Sequence, residues 1–168
     1  VIDLVRGFAK FNESVNGFEL WLCAGESPFG DRSIELPKVT AEIEALGLSR
    51  SVRMLPNLQW RDMPHLLHQA FAVVLPTYYE SFGRAALEAL ACGVPLIATR
   101  VGNLPALIGD AGRLIQPGSP DAICKELLWL FDNPEARLEL QQGGPQKASA
   151  YDNKIVARRM LSAIAQRG

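Results

Sequence analysis

The stretch from Ala72 to Thr99 leaves this chain few folds to adopt. A short apolar run, Ala72 to Leu75, is followed by Pro76-Thr77 and a polar loop. Gly83 to Cys92 then reads as a helix, which Gly93 and Pro95 close before a second apolar run, Pro95 to Thr99. Strand, sharp loop, helix and strand in so short a span make a βαβ unit, and apolar strands joined in this way form a parallel sheet covered on both faces by helices.

The rest of the chain repeats the alternation. Helices are expected over about Val1–Val15, Ile34–Leu46, Asp62–Ala70 and Asp121–Phe131. Another begins at Pro134 and is broken by Gly143-Gly144-Pro145, and a last one covers about Asn153–Gln166. Strands are expected at Phe18–Ala24, Val52–Leu55, Ala72–Leu75, Pro95–Thr99 and Arg113–Ile115, with Gly102 to Pro105 as a loop. Pro37 falls in the first turn of its helix. The predicted class is α/β: a Rossmann-like, three-layer domain with a parallel sheet flanked by helices. At 168 residues the chain suits one domain with a full core.

Composition excludes more than it identifies. A net charge of −1 gives no reason to expect nucleic acid or an anionic membrane as partner. No apolar run reaches the roughly 20 residues of a membrane-spanning helix. Cys23, Cys92 and Cys124 are odd in number and have no Cys-x-x-Cys spacing, so they read as small buried apolar residues in a reducing, cytoplasmic compartment.

In parallel sheets ligands bind beyond the carboxyl ends of the strands. Three loops qualify here: Gly25-Glu26-Ser27, Thr77 to Phe82, and Gly102 to Pro105. The second carries Glu80 and leads to Glu88, eight positions on. Ser81 is placed as the N-cap of the following helix, with the N–H groups of Phe82, Gly83 and Arg84 in its first turn. Such a helix end offers unpaired donors and partial positive charge, which suits a phosphate. Gly83 allows a ligand close to the backbone. Arg84 conflicts with the helix dipole unless an anion is present. Glu88, one turn beyond, leans back toward the helix start and suits a diol such as ribose. The same residues also fit an ordinary surface helix carrying an Arg/Glu pair, and spacing alone does not choose between the two.

The segment from Leu75 to Gly102 closely resembles glycosyltransferase family 4. It reads Leu-Pro-Thr-Tyr-Tyr-Glu-Ser-Phe-Gly-Arg-Ala-Ala-Leu-Glu-Ala-Leu-Ala-Cys-Gly-Val-Pro-Leu-Ile-Ala-Thr-Arg-Val-Gly. The family pattern is Pro-Ser/Thr-x-x-Glu-Gly/Ser-Phe-Gly-x-x-x-Leu-Glu-Ala-x-Ala-x-Gly-x-Pro, and the likeness extends more weakly along nearly the whole chain. The resemblance implies the C-terminal, donor-binding domain of a retaining GT-B enzyme. That enzyme would transfer a sugar from a nucleoside diphosphate sugar to a sugar, polysaccharide or lipid-linked acceptor. By position, Glu88 would hold ribose hydroxyls and Glu80 would contact the donor sugar near its reacting face, as the catalytic residue. Ser81, Phe82, Gly83 and Arg84 would surround the diphosphate, and Gly102 and Asn103 would approach the donor. Fixed donors rather than a metal would stabilise the leaving group, with no further cofactor.

The chain departs from the family at several points. The domain's first strand, and the Arg/Lys pair beside it, would precede Val1, so residues 1–168 read as a single domain truncated before its first strand. A missing central strand would leave two neighbours without a shared partner. Ala106 stands where Glu is frequent, Asn103 where a second Gly is frequent, and Pro56 where Gly often closes the strand near the base pocket. The acceptor-binding N-terminal domain is absent, so the isolated chain is expected to bind nucleotide weakly or not at all and to transfer no sugar. Membrane association through that absent half stays open. The alternative is a non-catalytic nucleotide-sugar-binding or interaction module on the same scaffold. His65 and His68 lack a third metal ligand of fixed spacing. Tyr78 and Tyr79 either line the sugar site or pack on their own domain. Glu26, Arg158 and Arg159 read as solvated, and Trp21, Trp60 and Trp129 as fillers.

Overall fold

A computed structural model describes residues 1–23, 32–55, 58–59 and 61–152, leaving aside the side chains of residues 32–35. In chain order the elements are α1 (Ile2–Ser14), β1 (Leu20–Cys23), α2 (Arg32–Ala45), β2 (Val52–Leu55), α3 (Met63–Leu67) and β3 (Val73–Leu75). There follow α4 (Arg84–Ala91), β4 (Leu96–Thr99), α5 (Leu104–Ile108), β5 (Arg113–Ile115), α6 (Pro120–Asp132) and α7 (Pro134–Ser149). The expected positions at Gly25–Ser27, Pro56, Trp60 and from Asn153 onward lie outside the described residues.

All strand pairs are parallel, as the short apolar strands and intervening helices require. β4 is central to β3 and β5, and all four of its residues are buried. Alternation along β4 separates two cores. Ile97 joins Phe8, Phe11, Ile123 and Leu130 beneath α1 and α6, whereas Leu96 and Ala98 join Leu90, Leu104 and Leu107 beneath α4 and α5. The layering is therefore helix–sheet–helix.

Strand pairing stops once. β1 pairs with β2, and β3 with β4 and then β5, but no ladder joins the two groups among the described residues. Both groups nevertheless back onto the first core through Leu22, Val52, Val74 and Ile115. One edge of β1 and one edge of β3 thus have no ladder partner among the described residues.

Several expectations are corrected. α5 occupies part of a segment read as loop; five residues show too little periodicity, and Pro105 is tolerated in its first turn. α3 ends at Leu67, after which Gln69 and Ala70 bond back three residues to Leu66 and Leu67. α2 begins at Arg32, so Pro37 lies inside it. α7 runs unbroken through Gly143, Gly144 and Pro145. Tertiary packing overrides the local signal there: α7 lies on α4, with Gly144 against the backbone of Leu90. Pro145 deprives the Gln141 carbonyl of its helical donor, and that carbonyl faces Gly93. Cys23 is exposed rather than buried, because its neighbour Leu22 takes the core side of β1, and Cys92 and Cys124 are only half-buried.

The α4–α7 contact gives a matched test. A Cβ at Gly144 would stand 2.8 Å from the Leu90 carbonyl oxygen, whereas one at Gly143 would meet nothing within 4 Å. Gly143→Ala should stabilise the chain by about 0.5–1 kcal/mol through helix propensity. Gly144→Ala should destabilise it by about 1–3 kcal/mol despite the same propensity gain, because backbone cannot swing aside. Denaturant midpoints check both signs; a stabilising Gly144→Ala would contradict the packing.

Candidate donor site

Because β3 and β4 are adjacent and parallel, the loops that follow them open on one edge of the sheet. The first, residues 76–83, is fixed from several sides. Thr99 ends the otherwise apolar β4 and is 1% exposed; its hydroxyl donates to the Thr77 carbonyl at 2.6 Å. The Thr77 hydroxyl in turn donates to the Tyr79 carbonyl at 2.6 Å. The Tyr78 hydroxyl donates to Asp3 Oδ2 at 2.7 Å. That bond, then burial, then the charge of Asp3 hold the Tyr78 hydroxyl above the usual tyrosine range.

Glu80 turns its carboxylate back onto the chain. Its Oε1 accepts from the amides of Gly83 at 3.0 Å and Phe82 at 3.3 Å. Gly83, not Ser81, is the N-cap of α4; it is left-handed at φ 91°, and no side chain caps it from the N-cap position. Ser81 is exposed and two residues outside the cap, beyond the N-cap geometry expected for it. The acceptor comes instead from Glu80, whose negative charge suits the positive helix end. Arg84, Ala85 and Ala86 open the helix, and their N–H groups have no carbonyl within it to reach. Arg84 and Ala85 are exposed.

The second loop closes against the first. Gly102 is left-handed at φ 51°, and a Cβ there would stand only 1.7 Å from the Glu80 carbonyl oxygen. Asn103 Nδ2 donates to the Phe82 carbonyl at 3.4 Å. The Phe82 ring, 45% exposed, meets Tyr151 edge-on with centroids 6.4 Å apart. Glu80, Phe82, Gly83, Gly102 and Asn103 are therefore in direct contact. Arg84 and the half-buried Glu88 lie one turn apart on α4, and no ion pair joins them among the described residues. The surface-pair explanation of their spacing therefore has no contact to support it. Glu88 lies close enough to Cys92 that its charge, after burial, helps raise that thiol.

Other side chains stand apart. His65 and His68 are exposed at α3. Trp129 lies under the Arg113 guanidinium at 4.0 Å, and Arg113 also donates to Glu126 at 2.6 Å. Two concavities, of about 370 Å3 along β5 and about 440 Å3 between α4 and α7, are lined by neither Glu80, Gly83 nor Gly102. The site is an open edge. Sequence reasoning missed Thr99 and Asp3. The available signals were a polar residue closing an apolar strand and an acid in a first helical turn.

Taken together, a Rossmann-like α/β domain presents a glycine-started helix and Glu80 at the carboxyl edge of its sheet, with Glu88 farther along that helix. A family model described as glycosyl transferases group 1 matches residues 29–147. The chain belongs to that family. A D-inositol 3-phosphate glycosyltransferase of Corynebacterium urealyticum is 34% identical over 143 residues, covering 83% of this chain and 33% of that protein. One of the same name from Salinispora arenicola is 38% identical over 133 residues, covering 77% of this chain and 29% of its own length. The chain thus spans about a third of the length of these relatives. Among solved structures, Anabaena Alr3699/HepE in complex with UDP is similar with a TM-score of 0.85 at 21% identity, over 99% of this chain and 44% of that one. The C-terminal domain of a glycosyl transferase group 1 family protein (LpcC) from Francisella tularensis gives 0.77 at 22% identity, over 89% of this chain and 77% of that one. These likenesses establish the fold as one half of a GT-B architecture.

The contact between the two loops is directly testable. Gly102→Ala should displace the Glu80 segment and cost about 1–3 kcal/mol, from overlap and from a left-handed backbone. Chemical denaturation, with the amide resonances of Phe82 and Gly83 as local probes, checks this; an unmoved midpoint and unmoved resonances would contradict it.

Proposed function

We propose that this chain is the donor-binding domain of a retaining glycosyltransferase that uses a nucleoside diphosphate sugar. The observation that carries the reading is the meeting of the Glu80 loop, the Gly102-Asn103 turn and the start of α4 at one sheet edge. The free amides of Arg84 and Ala85, with the Arg84 side chain, would receive the diphosphate. Phe82 and Gly83 would add their amides as Glu80 turns from them toward the donor sugar, with Ser81 beside them. Glu88 would accept from the ribose hydroxyls, and Gly102 and Asn103 would border the sugar. The developing charge on the leaving diphosphate would be met by these fixed donors without a metal ion. The likeness to glycosyltransferases, and to a structure solved with UDP, supports this choice of ligand.

The acceptor, a sugar, polysaccharide or lipid-linked glycan, would be bound by a second domain outside this chain. A strand outside the described residues would pair between β1 and β3, each of which has one edge without a ladder partner among the described residues. No helix among the described residues is long and apolar enough to cross a membrane. The three free thiols suit a reducing compartment, so we place the parent protein in the cytoplasm, with any membrane contact peripheral.

Calorimetric titration of the parent polypeptide with UDP and GDP tests the reading. Saturable binding of one of them is expected, unchanged by EDTA and weakened about tenfold by Glu88→Gln, which replaces a charged acceptor. Failure of the parent to bind any nucleoside diphosphate would instead favour a non-catalytic interaction module.

A further inference from the structure

We propose that Tyr78 is a positioning residue for the Glu80 loop and that it acts through Asp3. For its functional consequence the proposal rests on the donor-site reading; its structural content stands apart from it. Most contacts that hold residues 77–83 come from β4 and the turn after it, through Thr99, Gly102 and Asn103. Tyr78 reaches the opposite way, to α1, bonding a residue 75 positions earlier in the chain. Its ring crosses the turn before α6, where a Cβ at Gly118 would stand 3.1 Å from the Tyr78 hydroxyl and 3.6 Å from the ring. One side chain therefore links the starts of α1 and α6 to the loop that starts α4.

Burial does not hold the ring in place, since Tyr78 is 66% exposed. Its hydrogen bond to Asp3 is the directed interaction available to do so. Asp3 lies in the first turn of α1, where the helix dipole favours a carboxylate, and a charged acceptor strengthens the bond. The raised proton affinity of the Tyr78 hydroxyl agrees with a proton shared in this way. Tyr79 provides the contrast: it is 81% exposed, and its hydrogen bonds among the described residues are those of its backbone with Thr77. The two adjacent tyrosines thus have different roles, one fastening the loop and the other facing solvent.

The consequence is a coupling between α1 and the amides at the start of α4. Loss of the tether should loosen the segment in which Glu80 holds Phe82 and Gly83, while the cores beneath α6 and α7 stay intact.

Residue-resolved amide hydrogen exchange on this chain tests the proposal. Tyr78→Phe and Asp3→Ala should each speed exchange at Phe82 and Gly83 about threefold, the scale of one exposed hydrogen bond. The double variant should exchange no faster than either single one. Asp3→Asn should retain most of the protection, because its amide oxygen still accepts, and Tyr79→Phe should change nothing. Unchanged exchange in Tyr78→Phe, or an equal rise throughout α6 and α7, would overturn the tether. In a parallel titration of the parent polypeptide, the dissociation constant for whichever of UDP and GDP it binds should rise about threefold in Tyr78→Phe. A wild-type parent polypeptide that binds neither UDP nor GDP counts against the donor reading, while exchange still decides the tether.

Discussion

The carboxylate of Glu80, bonded back to the amides of Phe82 and Gly83, is the interaction on which the candidate site depends. The chain must pass from β3 to α4 in a few residues and enter the helix through a left-handed glycine. That passage leaves two amides at the positive end of α4 pointing out of any ladder. The Gly83 amide is part-buried, and a buried amide left without an acceptor costs about 1–3 kcal/mol. An acceptor carried by the loop itself removes that cost and fixes the loop's curvature. The glutamate then serves a local structural need and is also the acid presented at the sheet edge.

What surrounds the loop is arranged to keep it so. The Glu80 carbonyl is in contact with Gly102, the Phe82 carbonyl with Asn103, and the Thr77 carbonyl with the buried Thr99 hydroxyl. α4 is held by its apolar face, with Ala86, Ala89 and Leu90 at 0% exposure, and by the close approach of α7 at Gly144. The opposite layer is built in the same manner: α1 meets α6 where Gly7 admits Ile123 and the Pro120 carbonyl. Rigid packing on both faces of β4 thus determines where the amides of Arg84 and Ala85 point. A cation in that first turn, unfavourable beside the helix dipole alone, is consistent with an anion arriving there.

Much of this was legible in the sequence, for physical reasons. The βαβ alternation was readable because the central strands are short apolar runs and α1, α4 and α6 are amphipathic. The candidate edge was chosen by the rule that places ligands beyond strand carboxyl ends, and the structure brings the Glu80 loop and the Gly102-Asn103 turn into contact. Residues decided by tertiary contact were not legible. Gly143-Gly144-Pro145 has every local mark of a break, yet packing against Leu90 carries α7 through it. α5 is too short to show a period. Ser81 has the side chain of an N-cap, but the left-handed turn at Gly83 moves the helix start beyond it. The bond from Tyr78 to Asp3 joins residues 75 positions apart, and nothing in the spacing of either residue announces it.

The central claim is that the opening amides of α4 receive a nucleotide's diphosphate. The most direct measurement is an amide chemical-shift titration of the parent polypeptide with whichever of UDP and GDP it binds, read at Arg84, Ala85, Phe82 and Gly83. The account predicts saturable shifts concentrated at these four residues and at Gly102. Shifts confined to another surface, such as the cleft lined by Arg100, Asp110 and Arg113, would contradict it.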